Sequence, residues 1–238
     1  MWDKMGQKWR MVSVGRAHRV SIGGMIYHAL NRANRGITLF EDVGDYAAFE
    51  GIIAEAHALV PVRILNYCVM PTHWHFVLWP ERDHDLSAFM QWLTLTHTQR
   101  SHAHRADTGS GHIYQGRFKS FIIETDEHLL TTSRYVERNP LRANLVSRAE
   151  DWRWSSLWHR LHPRAQTGPP LSDGPLPWPE NWVDWVNAPQ TDGELEAIRR
   201  CIRCGVPFGS ADWADALARR YGVLVAPRPL GRPRKHRP

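Results

Sequence analysis

Two β-rich runs that flank a proline constrain the fold of this chain more than any other feature. The runs are VRILNYCVM at 62–70 and THWHFVLW at 72–79, and Pro71 stands between them. Branched and aromatic residues favour strands, whereas proline cannot donate a hydrogen bond to a sheet ladder. We therefore predict two strands separated at Pro71.

Helical and extended segments alternate around these two strands. Tyr46, Phe49 and Ile53 recur at helical spacing, and Pro61 then ends the pattern. The predicted further elements are strands at 23–31 and 112–124 and helices at 43–59, 85–104 and 125–138. The order β-α-β-β-α-β followed by a helix is the split βαβ arrangement. We predict an α+β fold, a ferredoxin-like antiparallel sheet with helices, extended by C-terminal helices and a basic tail.

Positive charge is concentrated at the two ends of the chain. Residues 1–19 carry a net +4 and residues 228–238 a net +5, which leaves −3 on residues 20–227 of a chain with formal charge +6. Basic arms on a body of this kind are typical of proteins that bind nucleic acid or an anionic membrane. On charge alone, solvated tails that only aid solubility explain the pattern equally well.

Composition also divides the chain into segments. Tryptophan and proline become frequent after about residue 150, and the last residues are too basic and proline-rich to pack. The predicted segments are a basic N-terminal arm at 1–20, the main domain at 21–162, a Pro/Trp-rich linker at 163–190, a small helical region at 191–226 and a basic flexible tail at 227–238.

Several classes of protein are disfavoured. Three cysteines cannot form a disulfide framework, and we interpret Cys201 and Cys204 as two unpaired thiols on a helix. No apolar run has the length of a membrane span, and the N-terminus lacks the apolar core of a secretion signal. We expect a cytoplasmic protein with no membrane partner.

Two histidines interrupt the second apolar run. Side chains at i and i+2 of a strand share a face, so His73 and His75 project together while Trp74, Phe76 and Leu78 face the other way. Two imidazoles in this arrangement can bind one metal ion if another element supplies a third ligand. The alternative is a pair of partly buried, hydrogen-bonded histidines.

The helix predicted near residue 135 supplies the other unusual pair. Tyr135 and Asn139 are four residues apart and share a helix face. The amide oxygen of Asn139 would complete a mixed nitrogen and oxygen site suited to Mg²⁺ or Mn²⁺. Tyr135 would then stand one turn from the ion, where a phenol can attack a phosphodiester. A plain aromatic on an amphipathic helix is the alternative for Tyr135.

Over residues 21–160 the sequence resembles the single-tyrosine HUH transposases, and most closely the REP-associated tyrosine transposases. The resemblance rests on four ordered motifs followed by DWRWSSL: YHALNRANRG at 27–36, NYCVMPTHWHFVLW at 66–79, GHIYQGRFKS at 111–120 and RYVERNPLRANLV at 134–146. Trp74 is larger than the middle residue usual in this family.

The resemblance implies an enzyme that cuts and joins single-stranded DNA beside hairpin repeats. It implies His73, His75 and Asn139 as metal ligands and Tyr135 as the nucleophile of a 5′-phosphotyrosine intermediate. It further implies a divalent metal, Mg²⁺ or Mn²⁺, no nucleotide cofactor, and a nucleoid-associated location. The sequence leaves open whether the protein is a monomer or a homodimer.

Contacts to DNA are expected from basic and aromatic residues outside this set. We expect phosphate contacts from Arg32, Arg35, Arg117 and Lys119, and base stacking from Tyr114. Arg232, Arg234 and Lys235 lie in a tail whose Gly-Arg-Pro resembles an AT-hook, which binds a narrow minor groove. Two alternatives for the whole protein remain: a non-catalytic single-stranded nucleic-acid-binding module of the same fold, and a metallohydrolase that uses water instead of tyrosine.

Overall fold

A computed structural model describes residues 21–34, 37–105, 111–165 and 168–225. The strands are β1 Ile26–Arg32, β2 Arg63–Met70, β3 His73–Trp79 and β4 Lys119–Ile123. The helices are α1 Val43–Leu59, α2 Asp85–Arg105, α3 Glu127–Glu137, α4 Asn139–Arg142, α5 Ser156–Leu161, α6 Trp182–Asn187, α7 Asp192–Cys204 and α8 Ala211–Tyr221. The predicted arm at 1–20 and tail at 227–238 lie outside the described residues.

The four strands form one antiparallel sheet in the order β2-β3-β1-β4. Helix α1 connects β1 to β2 across β3, and α2 connects β3 to β4 across β1. Two crossovers that each skip one strand define the ferredoxin-like topology. The predicted α+β fold class is confirmed.

The last strand is much shorter than the predicted 112–124. Within the described residues 112–118, the ladder is reduced to an isolated bridge between Ala33 and Tyr114. Gly116 adopts a φ of 154°, a conformation that residues with a side chain rarely take, and its carbonyl accepts a hydrogen bond of 3.1 Å from Asn31. The chain therefore bends away from the sheet before β4 begins.

One face of the sheet is covered by α1 and α2. Trp74, Phe76 and Leu78 of β3 are fully buried on this face, as the alternation along the strand predicts. Helix α1 has the predicted bounds, because the Asp42 carboxylate accepts a hydrogen bond from the Asp45 amide and Pro61 follows its end. This face forms the larger of the two main apolar cores.

The opposite face is covered by α3 and α7. Val77 and Phe121 of the sheet pack here with Val136 of α3, and Ile198 and Cys201 of α7 belong to the same core. The small helical region expected at 191–226 therefore shares a core with the sheet. None of the helices in the described ranges is long and apolar enough to cross a membrane.

The segment expected as a linker at 163–190 ends in a short helix that is fixed to the domain. Trp182 and Val186 of α6 are buried with Leu157 of α5. Two arginines of the Tyr135 region, Arg134 and Arg138, donate hydrogen bonds to the main-chain carbonyls at the C-terminal end of α6 and just beyond it. The composition of this segment predicted a linker, and the structure shows that the end of the segment packs against α5.

Candidate active site

Strand β3 places two imidazoles side by side on the face covered by α3. The ring centroids of His73 and His75 are 5.1 Å apart, and the ring planes are nearly perpendicular. The register of the sheet sets Arg32 of β1 opposite His73 and Leu30 opposite His75. Thr72 contacts Nδ1 of His73, and another histidine contacts Nδ1 of His75.

Both imidazoles are neutral near pH 7. Burial, followed by the charges of Arg32 and Arg142, lowers the pKa of His73 from 6.5 to about 4, while an interaction with the Asn139 amide acts in the opposite direction. The pKa of His75 lies well below its usual value, mainly because the ring is buried. Neutral imidazoles offer the lone pairs that a metal ion requires.

A third histidine, His28 of β1, supports this pair and was missed by sequence reasoning. Its Nε2 lies 3.0 Å from Nδ1 of His75, and the ring is fully buried. Burial lowers the pKa of His28 to about 3. The available signal was a histidine in the middle of an otherwise apolar strand, but only the register of β1 on β3 brings it to His75.

The helix α3 brings Tyr135 to the same histidines. The Tyr135 ring is 5% exposed and meets His75 edge to face, with centroids 5.8 Å apart and planes at 90°. A second edge contact joins it to His28 at 6.3 Å. Tyr135 therefore lies against one of the two expected histidines, His75, and against His28, which was not expected.

Asn139 lies just past the end of α3, because Pro140 breaks the helix and α4 begins again at Asn139. The amide is 2% exposed, its Oδ1 accepts a hydrogen bond of 3.0 Å from Arg142, and its buried Nδ2 has no partner among the described residues. Its side chain also interacts with His73. Two neutral imidazoles and the amide oxygen of Asn139 are the donor types of a mixed nitrogen and oxygen site for a divalent ion. Only Oδ1 could serve as the ligand, and it accepts from Arg142 in this structure, whereas the unpaired Nδ2 is a hydrogen-bond donor.

A buried carboxylate fixes the orientation of α3. Glu137 is fully buried and accepts hydrogen bonds from Asn66 at 2.7 Å, Ser156 at 2.6 Å and Trp182 at 2.8 Å, and it also pairs with Arg160. These donors come from β2, α5 and α6. Because Glu137 and Tyr135 are on the same helix, this network joins the helix that carries Tyr135 to β2, α5 and α6.

The imidazoles and Tyr135 line a cavity of about 250 Å³. Its other lining residues are apolar or basic, and they are Leu30, Arg32, Arg142, Arg199, Ile202 and Arg203. Among the residues that the structure describes, four arginines and no acidic residue therefore line the cavity with the neutral histidines. A cavity with this lining attracts an anion such as a phosphodiester.

The other residues expected to contact DNA are scattered. Arg32 lines the cavity, Lys119 is exposed at the start of β4 opposite Leu30, and Arg117 is exposed in the preceding loop. Tyr114 is 7% exposed and its hydroxyl lies between Trp74 and His97, so its ring has no open face for stacking on a base. Arg35, Arg232, Arg234 and Lys235 lie outside the described residues.

A second group with metal-ligand chemistry lies at the start of α3. Ligand atoms of Glu124, Asp126 and His128 are within 4.8 Å of one another. Asp126 already caps α3 by accepting from the His128 amide, and Glu124 accepts a hydrogen bond of 2.6 Å from Ser210 at the start of α8. These contacts give the carboxylates a structural role at two helix starts.

Comparisons with known proteins found a family and a solved structure that resemble this chain. A family model described as IS200-like transposase matches residues 21–139, which is half of the chain. Among solved structures, the chain resembles a REP-associated tyrosine transposase bound to a REP hairpin, with 22% sequence identity and a TM-score of 0.53. That alignment covers 67% of this chain and 94% of the other. The comparison with curated proteins gave no match.

Proposed function

Because the chain belongs to the IS200-like transposase family, we propose that it cuts and rejoins single-stranded DNA through a covalent bond to Tyr135. One observation carries this proposal. The Tyr135 ring lies edge-on to His75, in a cavity that contains both histidines of β3 and four arginines. The residue proposed as nucleophile, the two imidazoles proposed as ligands and a basic lining thus share one cavity.

The proposed metal site consists of His73, His75 and Asn139, with Mg²⁺ or Mn²⁺ as the ion. Such an ion, when bound, supplies a Lewis acid that polarises the phosphate. The chain contributes neutral imidazoles at physiological pH, since the pKa of His73 is lowered to about 4. It also excludes most water from the nucleophile, because Tyr135 is nearly buried.

The proposed reaction exchanges one phosphate ester for another. The phenolic oxygen of Tyr135 forms a bond to phosphorus, the bond from phosphorus to the 3′-oxygen breaks, and that oxygen takes up the proton that the phenol loses. The product is a 5′-phosphotyrosine and a free 3′-hydroxyl. Attack by another 3′-hydroxyl reverses the step and joins a new strand, with no nucleotide consumed.

The proposed substrate is single-stranded DNA that carries a hairpin. The support is the solved relative, whose structure contains a REP hairpin, together with the basic lining of the cavity. Arg32 is the first candidate for a phosphate contact, since it lines the cavity beside His73. Lys119 and Arg117 are candidates for the strand or hairpin outside the cavity. A nucleoid-associated location would follow from this substrate.

The test is covalent trapping on a 3′-labelled hairpin oligonucleotide, whose label stays on the fragment joined to Tyr135, incubated with the full chain and Mn²⁺ and analysed by denaturing electrophoresis. Tyr135→Phe should abolish the protein-DNA adduct and retain DNA binding. Tyr221→Phe, which removes a hydroxyl at the end of α8, serves as the matched control and should form the adduct normally.

The alternatives give different results in the same experiment. Cleaved DNA without an adduct, unchanged in Tyr135→Phe, would identify a metallohydrolase that uses water. Binding without cleavage, unaffected by a chelator, would identify a non-catalytic binding module. Either result would refute the tyrosine mechanism.

A further inference from the structure

The helix α7, which lies beyond the family match at 21–139, forms one wall of the candidate active site. Its residues Arg199, Ile202 and Arg203 line the cavity that also contains Tyr135. Spacings of three and four residues place these side chains on one stripe of the helix. The neighbouring stripe, with Ile198 and Cys201, is buried against the sheet.

Several local features fix α7 in this position. A capping box of Thr191 and Glu194 begins the helix, and Gly205 ends it with a φ of 69°. Glu194 also pairs with the buried guanidinium of Arg134 at 3.3 Å. Arg134 directly precedes Tyr135, so the first turn of α7 is joined to the helix that carries the proposed nucleophile.

The two cavity-lining arginines of α7 differ in their present contacts. Arg203 pairs with Glu196 on the exposed surface of the helix. Arg199 forms no hydrogen bond or ion pair within the described parts of the chain, although it is exposed and lines the cavity. A guanidinium left unpaired at the edge of an anion-binding cavity is available for a phosphate.

We propose that α7 is a strand-binding wall, in which Arg199 and Arg203 hold backbone phosphates of single-stranded DNA adjacent to the phosphate at Tyr135. This role rests on the proposed function and extends it to a region that the family model does not reach. Arg32 and Arg142 line the same cavity, so a strand entering it would have guanidiniums on both sides. Phosphate contacts of this kind supply affinity and salt dependence and carry no sequence information.

The chain provides a matched control for this proposal. Arg200 follows Arg199, has the same charge and is also exposed, but it does not line the cavity. Glu196 lies one turn before Arg199 and pairs with Arg203, so it competes with phosphate for these arginines. Replacement of Arg199 should therefore weaken DNA binding, replacement of Arg200 should leave the salt dependence unchanged, and replacement of Glu196 should strengthen binding.

The experiment measures binding of fluorescein-labelled oligo(dT) to the full chain carrying Tyr135→Phe, by anisotropy over a range of salt concentrations. Arg199→Ala should weaken binding and reduce the slope of log K against log salt by about 0.7, the value for one lost phosphate contact on a single strand. Arg200→Ala should leave the slope unchanged. Glu196→Gln should strengthen binding.

Equal effects of Arg199→Ala and Arg200→Ala, or no effect of either, would overturn the proposal. These outcomes are independent of catalysis, because the background variant has no nucleophile. If the wild-type chain forms no adduct but Arg199→Ala still reduces the slope, the tyrosine mechanism fails and the binding wall stands. If the wild-type chain forms the adduct but Arg199→Ala leaves the salt slope unchanged, the tyrosine mechanism is supported and the proposal that α7 is a strand-binding wall is refuted.

Discussion

The guanidinium of Arg142 lies over the face of the Tyr135 ring, 4.4 Å from its centroid, and donates a hydrogen bond of 3.0 Å to Oδ1 of Asn139. One side chain thus contacts both the proposed nucleophile and a proposed metal ligand. Its charge also lowers the pKa of His73. Arg142 lies three residues past the end of the family match, in α4.

Arg142→Ala should slow adduct formation by roughly 100-fold at saturating DNA, because removal of one preorganised charge near the reacting phosphate typically costs that much. Arg142→Lys should retain only part of the rate, since an ammonium cannot cover the ring and hold Asn139 together. The measurement is the single-turnover rate of covalent trapping. Arg148→Ala, on the exposed surface, is the control, and a wild-type rate in Arg142→Ala would contradict the role.

His28 should determine how strongly the site binds metal. If Nε2 of His75 binds the ion, then Nδ1–H of His75 donates to Nε2 of His28 across 3.0 Å. His28→Leu should weaken Mn²⁺ binding by about 10- to 100-fold, the usual effect of losing such a partner, whereas His28→Gln can still accept and should lose less. Calorimetric titration with Mn²⁺ measures this without DNA.

The exposed His104 provides the control for that titration, because His104→Ala removes an imidazole of α2, which covers the face of the sheet opposite the candidate site. Circular dichroism establishes that the His28 variants are folded. Equal Mn²⁺ affinities in the wild type and in folded His28→Leu would show that His75 needs no partner to bind the ion.

Acid should destabilise the fold through His97. Burial, and then the charge of Arg105, lowers the pKa of this imidazole from 6.5 to about 3, and its Nδ1 contacts the Tyr114 hydroxyl at 2.6 Å. Below about pH 6.5 the unfolded chain binds a proton that the folded chain does not, so the free energy of unfolding falls as pH decreases. The contribution is about 1.4 kcal/mol per pH unit.

Urea unfolding at several pH values between about 7 and about 5 measures this effect. His97→Gln should show a shallower decrease in unfolding free energy with acid than the wild type. His104→Ala, which removes an exposed imidazole, should follow the wild type. Identical pH profiles for the wild type and His97→Gln would show that His97 does not cause the loss.

Glu137 should contribute strongly to stability and to the position of Tyr135. Glu137→Gln removes the charge that pairs with Arg160 and should cost about 3 kcal/mol, because it leaves a partly buried guanidinium without its counter-ion. Chemical denaturation measures this cost, and covalent trapping under folding conditions should be slower as well. Glu127→Gln, in the exposed first turn of the same helix, should change neither quantity measurably.

The elements that could be predicted from sequence are those with strong local patterns. Alternation along 73–79 correctly separates the two histidines from Trp74, Phe76 and Leu78, because the period of a strand is fixed by its geometry. The bounds of α1 follow from a cap at Asp42 and the proline after its end. Tyr135 and Asn139 were expected on one helix face, but α3 ends at Glu137 and Asn139 begins α4. Arg142 contacts both side chains.

The features that were missed depend on contacts between distant segments. In the sequence, Tyr114 resembles an exposed aromatic residue of a basic loop. In the structure it is buried, and its hydroxyl contacts Trp74 of β3 and His97 of α2. His28 reaches His75 only through the register of β1 on β3. No local pattern encodes that register, so a sequence alone places neither side chain.

Arg134 and Arg138 flank Tyr135 and bind main-chain carbonyls at Val186 and Ala188, some fifty residues downstream. A fragment cut at residue 139, where the family match stops, would leave both guanidiniums without these acceptors. The segment that the family model matches is therefore not an excisable module. The region of α3 is held by hydrogen bonds to the end of α6, which lies outside that segment. Any shortened version of this protein therefore has to include α6.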